Sequence, residues 1–192
     1  MANNVFLAYL PVEMSFYISS RLRPFAFWGL VAAWTLFYPN APYILTDYFH
    51  LAHIDPYVVV ENGRHRRILR PDLRLWLTFT DLSVSAMVSS LLGMWSLDRV
   101  VGGLQSRLKL PGFRWQVSFV AVFAALASVG IYLGRFPRLH SVYVLTRPRH
   151  ALGQIATVCG LNMLEFVLML VLIQLVMWGC LRFLRADWQS KK

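Results

Sequence analysis

Charge is scarce in this chain. Of its 192 residues, 15% are Asp, Glu, Lys or Arg, where a soluble domain carries about 25%. Acids are the scarcer sign, nine against nineteen bases. Cysteine is nearly absent: Cys159 and Cys180 form no CxxC pair. That excludes a disulfide-stapled scaffold and a cysteine-rich zinc module. With both placed along one apolar segment, they read as small apolar side chains. GxSxG, P-loop, GxGxxG and HExxH signatures are all missing, so the usual sequence marks of hydrolases, nucleotide-binding proteins and zincins are not there. There is no internal repeat and no low-complexity tract. No cofactor is named by any motif, which leaves cofactor use and enzymatic activity open. The first segment has no basic start and contains Glu13, so it does not read as a cleavable leader.

What is abundant is hydrophobicity, at 57% of residues. It falls into five apolar segments, near residues 5–20, 24–39, 73–97, 115–134 and 161–184. A spanning helix needs about 20 mostly apolar residues. The last three segments qualify. The first is short and holds Pro11 and Glu13; the second qualifies only if it starts at Pro24 or runs past Pro39. The pattern predicts one all-α domain over residues 1–192, an integral membrane bundle of about five transmembrane helices. Its second helix is expected to break at Pro-Asn-Ala-Pro.

The net charge of +10 would suggest nucleic acid in a soluble protein. Here the bases lie between apolar runs, where anionic lipid and membrane orientation account for them. No basic stripe or stacking platform appears. Expected partners are therefore membrane lipids and other membrane protein subunits, not nucleic acid. With five spans, one face carries Arg21, Arg23, Arg99, Arg107, Lys109, Arg114, Arg182, Arg185, Lys191 and Lys192, and the other carries the remaining arginines. All three lysines and the tightest loops lie on the first of these. The expected orientation in a cytoplasmic membrane is amino terminus out, carboxy terminus in.

An odd span count has one consequence that holds for either orientation. The end of segment two, the start of segment three, the end of segment four and the start of segment five share a face. Asp47, Asp81, Arg135, Glu165 and all five histidines then gather there. Asp81 is eight residues into segment three, about 12 Å from that face at 1.5 Å per residue. In "LFYPNAPYILTDYFHLAH" (36–53), Pro39 and Pro42 each lack a backbone donor, and Asn40 is placed to cap a following helix. The stretch marks either the exit from the bilayer or a broken helix lining a polar cavity. Tyr43, Asp47 and His50 share one side of a helical turn. Asp81 inside an apolar span is costly and points to function or to pairing with Arg135. Glu165 is shallow enough to reach interfacial water. Asp47, His50 and His53 also have metal-ligand spacing, a weak signal without an HExxH.

Three blocks, "LFYPNAPYILTDYFHL", "FTDLSVSAMVSSLLGMWSL" and "ASVGIYLGRFPRLHSVYVLTRP", resemble an uncharacterised family of bacterial multi-pass membrane proteins, domain of unknown function 1361. "NVFLAYLP" near the start fits as well. The resemblance covers Asn4 to about Ile155. It singles out Pro39, Asn40, Pro42, Asp47, His50, Asp81, Gly130, Tyr132, Gly134 and Arg135, and implies no activity. A Trp-Tyr-Asp of the family is Phe79-Thr80-Asp81 here, and an Asn-Ser-Trp-Asp is His140-Ser141-Val142-Tyr143, which loses an acid.

Two functions follow. In one, Asn40, Asp47, His50, Asp81, Tyr132 and Arg135 line an extracytoplasmic polar pocket for proton transfer, a metal, or an anion or lipid headgroup. In the other, the chain is a non-catalytic accessory or structural subunit and the polar cluster is glue. Side chains lining a water-reachable cavity would speak for the first, and side chains bonded to one another for the second.

Overall fold

A computed structural model describes residues 2–53, 57–61, 65–69, 71–136 and 160–190. Its elements are α1 (Ala2–Tyr17), α2 (Pro24–Phe37), α3 (Asn40–Tyr43), a 3-10 helix (Ile44–His53), β1 (Tyr57–Glu61), β2 (His65–Leu69), α4 (Leu73–Leu108), α5 (Phe113–Arg135) and α6 (Leu161–Ser190). Three helices are long and apolar enough to cross a membrane by length and composition: α4, α5 and Leu161–Asp187 of α6. At 16 and 14 residues, α1 and α2 fall short of the spanning length.

One element departs from an all-α reading. β1 and β2 form a two-stranded antiparallel hairpin with Tyr57 opposite Leu69 and Glu61 opposite His65. The signal was present in "YVVVENG": β-branched residues running into Asn-Gly are a strong hairpin mark.

Local chemistry sets the helix ends. Proline at the first position of α2 forfeits a donor that would be unpaired anyway. Asp72 caps α4, its carboxylate accepting from the Arg74 amide at 2.9 Å. α4 stops at Lys109, whose left-handed backbone (φ 55°) returns its N–H to the Gln105 carbonyl. The α4–α5 connection is short and the chain reverses, which packs the two helices as neighbours.

α4 is the spine, and α1, α3, the 3-10 helix, α5 and α6 all pack on it. Phe27, Val31, Trp34, Tyr38, Met94, Leu97, Val101, Val120 and Phe123 form the main core. Several buried polar groups there are paired, although the Ser83 and Ser90 hydroxyls of α4 are not, among the described residues. Trp34 Nε1 donates to Ser96 Oγ at 2.8 Å, and Ser96 donates to the Pro11 carbonyl at 2.9 Å. Gln174 Nε2 donates to Ser128 Oγ at 2.9 Å, and the Tyr38 hydroxyl donates to Gln174 Oε1 at 3.3 Å. These bonds join α1 to α2 and α4, and α2 to α5 and α6. The outer faces are apolar: Leu164, Leu168, Leu172 and Val176 of α6 are all more than half exposed. A continuous exposed apolar face of this kind suits lipid or protein, not water.

Candidate functional site

The site grows from the two prolines. Pro39 and Pro42 cannot donate to carbonyls one turn back, so the helical ladder breaks after Phe37 although Tyr38 and Pro39 keep right-handed helical angles. The freed groups find local partners. The Ala41 amide donates to the Tyr38 carbonyl at 3.1 Å, and the Tyr43 amide to Pro39 at 3.0 Å. Asn40 Nδ2 donates to the Phe37 carbonyl at 2.8 Å. Asn40 therefore closes the helix behind it. It does not cap the one ahead, whose N-cap position is Pro39, without a side-chain bond.

Small residues let this segment sit deep between α4 and α5. A Cβ on Gly130 would stand 3.1 Å from Pro39 Cγ, and one on Gly93 would stand 2.6 Å from Ala41 Cβ. One on Gly134 would touch the Tyr43 ring at 4.0 Å. Gly130 and Gly134 are one turn apart on α5, so a single face of that helix receives Pro39 and Tyr43.

The same approach brings Arg135, in the last turn of α5, onto the 3-10 helix. Its Nη1 donates to Asp47 Oδ1 at 3.0 Å and to the Tyr43 hydroxyl at 3.4 Å, and its Nη2 to the Thr46 carbonyl at 2.9 Å. The guanidinium also lies 5.7 Å from the Tyr43 ring centroid, within cation–π range. Asn4 Nδ2 of α1 donates to the other Asp47 oxygen at 3.3 Å. The Asp47 side chain is 5% exposed and that of Arg135 20%. A cation at the carboxy end of α5 is also favoured by that helix's dipole. The arrangement ties α1, the 3-10 helix and α5 through one charged pair. Chemically it is a clamp: Asp47 and Arg135 bind each other and are held by Asn4, Tyr43 and Thr46.

The other sequence candidates lie elsewhere. Arg135 pairs with Asp47, not with Asp81, which is exposed on α4 and has no polar partner among the described residues. Tyr132 is buried in an aromatic group with Phe136 and Phe166, at centroid distances of 4.6 and 5.4 Å. Glu165 is exposed on α6. Glu13 accepts from the Tyr9 and Tyr17 hydroxyls at 2.8 and 3.3 Å. The side chains of His50 and His53, the metal candidates beside Asp47, lie outside the described residues, as do His140 and His150. Among the described residues no group of three His, Cys, Asp or Glu is placed to hold a metal. A recess of about 600 Å³ lies at the α4–α5 turn, lined by Gln105, Ser106, Lys109 and Gly112, away from the clamp.

Sequence reasoning missed Asn4 and the Thr46 carbonyl, because nothing in their spacing points to Asp47. It also missed a second polar cluster at the other end of the bundle. Asp98 accepts from Gln116 Nε2 at 3.0 Å and Trp178 Nε1 at 3.1 Å, and pairs with Arg185. Arg182 donates to Gln116 and lies over the Phe113 ring at 5.0 Å.

The family described as "Protein of unknown function (DUF1361)" matches residues 3–177. No curated protein and no solved structure matches. The Asp47–Arg135 clamp lies wholly inside the matched stretch, whereas Arg182 and Arg185 lie beyond it.

Proposed function

Since the chain belongs to the DUF1361 family of unknown function, no activity comes with membership, and we propose its role from the geometry. It is a non-catalytic, structural component of a membrane protein assembly, built as a five-span bundle. The observation that carries this reading is the Asp47–Arg135 pair at 3.0 Å, nearly dry on the acid side and closed by Asn4, Tyr43 and Thr46. A site for substrate needs a group left over for the substrate, and here the groups bind one another.

The five-span count is supported by two facts. The helical path from Pro24 through Tyr43, taken past the prolines, is about 30 Å long at 1.5 Å per residue, the thickness of a hydrocarbon core. α1 packs on both α2 and α4 and its loop to α2 is held at the far end of α4, where Arg107 donates to the Ser20 and Leu22 carbonyls at 2.8 and 3.0 Å. In this reading the membrane is the cytoplasmic membrane of a bacterium. The clamp and amino end face out, and the Asp98–Arg185 cluster and carboxy end face in.

The test is a charge exchange read as thermal stability in detergent. Removing one partner of a buried pair costs about 3–5 kcal/mol, and the partial exposure of Arg135 argues for the low end. Asp47→Arg and Arg135→Asp should each lower Tm clearly. The double exchange should recover part of the loss, but not all, because an aspartate at 135 cannot donate to Thr46. If either single variant keeps the parental Tm, the clamp is not holding the fold and the pocket reading, in which Asp47, His50 and Arg135 serve a ligand, takes its place.

A further inference from the structure

Between Arg74 and Asp98, α4 carries a single charged side chain, Asp81. It lies seven residues from Arg74, about 10 Å along the axis. Leu77, Asp81, Val84, Val88 and Leu92 recur at helical spacing, and all five are exposed. The opposite stripe, Leu82, Ala86, Ser89, Gly93 and Leu97, is buried in the bundle. Asp81 therefore stands in the middle of an apolar face directed away from the described bundle, and it has no polar partner among the described residues.

Acids within a membrane span are costly. They are found facing a bundle interior or a water-filled cavity, or paired. Asp81 is turned the wrong way for its own bundle interior. The bases of its own helix on that side, Arg74 and Arg99, are seven and eighteen residues distant, and Arg99 is engaged over the Phe16 and Trp95 rings at 5.0 and 5.1 Å. Among the described residues none offers Asp81 a donor at that depth, which leaves the place open to a donor from another molecule. A second copy is a poor source: a two-fold axis along the bilayer normal keeps each residue at its own depth, and Asp81 is the only charged side chain of α4 between Arg74 and Asp98. Lipid tails offer no donor at all.

We propose that this face docks a transmembrane helix of a different protein. That helix is apolar where it meets Leu77, Val84 and Val88 and carries one Lys or Arg at the depth of Asp81. The charge pair sets register, and the branched apolar residues supply packing. The proposal deepens the structural-component reading by giving the partner's chemistry. It rests on α4 spanning the bilayer, and not on the clamp.

The experiment uses the full chain, fluorescently labelled, in phosphatidylcholine vesicles with synthetic leucine-rich spanning peptides. One peptide bears a single Arg about 10 Å below the interface, a second bears Leu at that position, and a third bears Glu. Energy transfer should report at least tenfold tighter association with the Arg peptide than with the Leu peptide. Asp81→Leu should erase that preference, and Asp81→Arg should transfer it to the Glu peptide. Equal binding of the Arg and Leu peptides, or a preference that survives Asp81→Leu, overturns the proposal. So does energy transfer between copies of the protein that depends on Asp81, or loss of the preference when the vesicles contain phosphatidylethanolamine, since those assign the face to a second copy or to a lipid amine. Failure here leaves the clamp intact, because the clamp is read by stability and this face by association.

Discussion

Among the described glycines, Gly93 should tolerate an added methyl group least. The new Cβ would stand 2.6 Å from Ala41 Cβ, where carbon atoms prefer roughly 3.5–4.0 Å. About 1 Å must be found, and neither atom is at the end of a flexible chain. Ala41 is fully buried in the short helix after the break, and Tyr38 closes the other side at 4.0 Å. Moving Ala41 also moves Pro39 against Gly130 and Tyr43 against Arg135. Overpacking of this kind costs about 1–3 kcal/mol. For a chain of this size that is roughly 2–12 °C in Tm, at 2–4 °C per kcal/mol. The assay is thermal unfolding of the purified protein in mild detergent, with Gly29→Ala as the control. A Cβ at Gly29 meets nothing within 4 Å, so that change should be neutral or should stabilise by up to about 1 kcal/mol through helix propensity. The double variant Gly93→Ala, Ala41→Gly should regain most of the loss, since it exchanges which partner carries the methyl. A Gly93→Ala protein with unchanged Tm, or a double variant no better than the single, would refute the claim that the helix break is wedged into α4.

Two further outcomes follow from named bonds. Gln174→Leu removes the acceptor of the Tyr38 hydroxyl and the donor to Ser128, leaving buried polar atoms behind; it should cost about 1–3 kcal/mol in the same unfolding assay, and adding Tyr38→Phe should cost less than the two changes taken separately. Arg107→Ala releases the Ser20 and Leu22 carbonyls, so hydrogen exchange in the Ile18–Arg23 loop should accelerate while exchange in α5 stays unchanged.

The long apolar runs of α4, α5 and α6 declare themselves, because hydrophobicity sustained over some twenty residues has few other uses. α2 ends at Phe37 and α3 starts at Asn40, beside Pro39 and Pro42, whose missing donors act locally. Asp47 and Arg135 were both recognisable as costly groups expected at one end of the bundle. Their mutual pairing was not: the acid expected to pair with Arg135 was Asp81, and the structure gives Asp47. Periodicity shows that Asp81 sits on a helix, but not which stripe of α4 the neighbours cover. The β-hairpin was overlooked for a different reason: its Asn-Gly mark stands among basic residues between two apolar segments, where the apolar runs draw the reading.

Composition by itself determined the mostly helical class and the long apolar helices, since each depends on residues within a turn or two of one another. Only the tertiary structure decided that Gly93 and Gly130 admit the broken segment, that Arg135 is spent on Asp47, and that Asp81 is left facing outward. Those outcomes depend on which helix faces approach within a few ångströms, and distances across the bundle are set by packing between segments far apart in the chain.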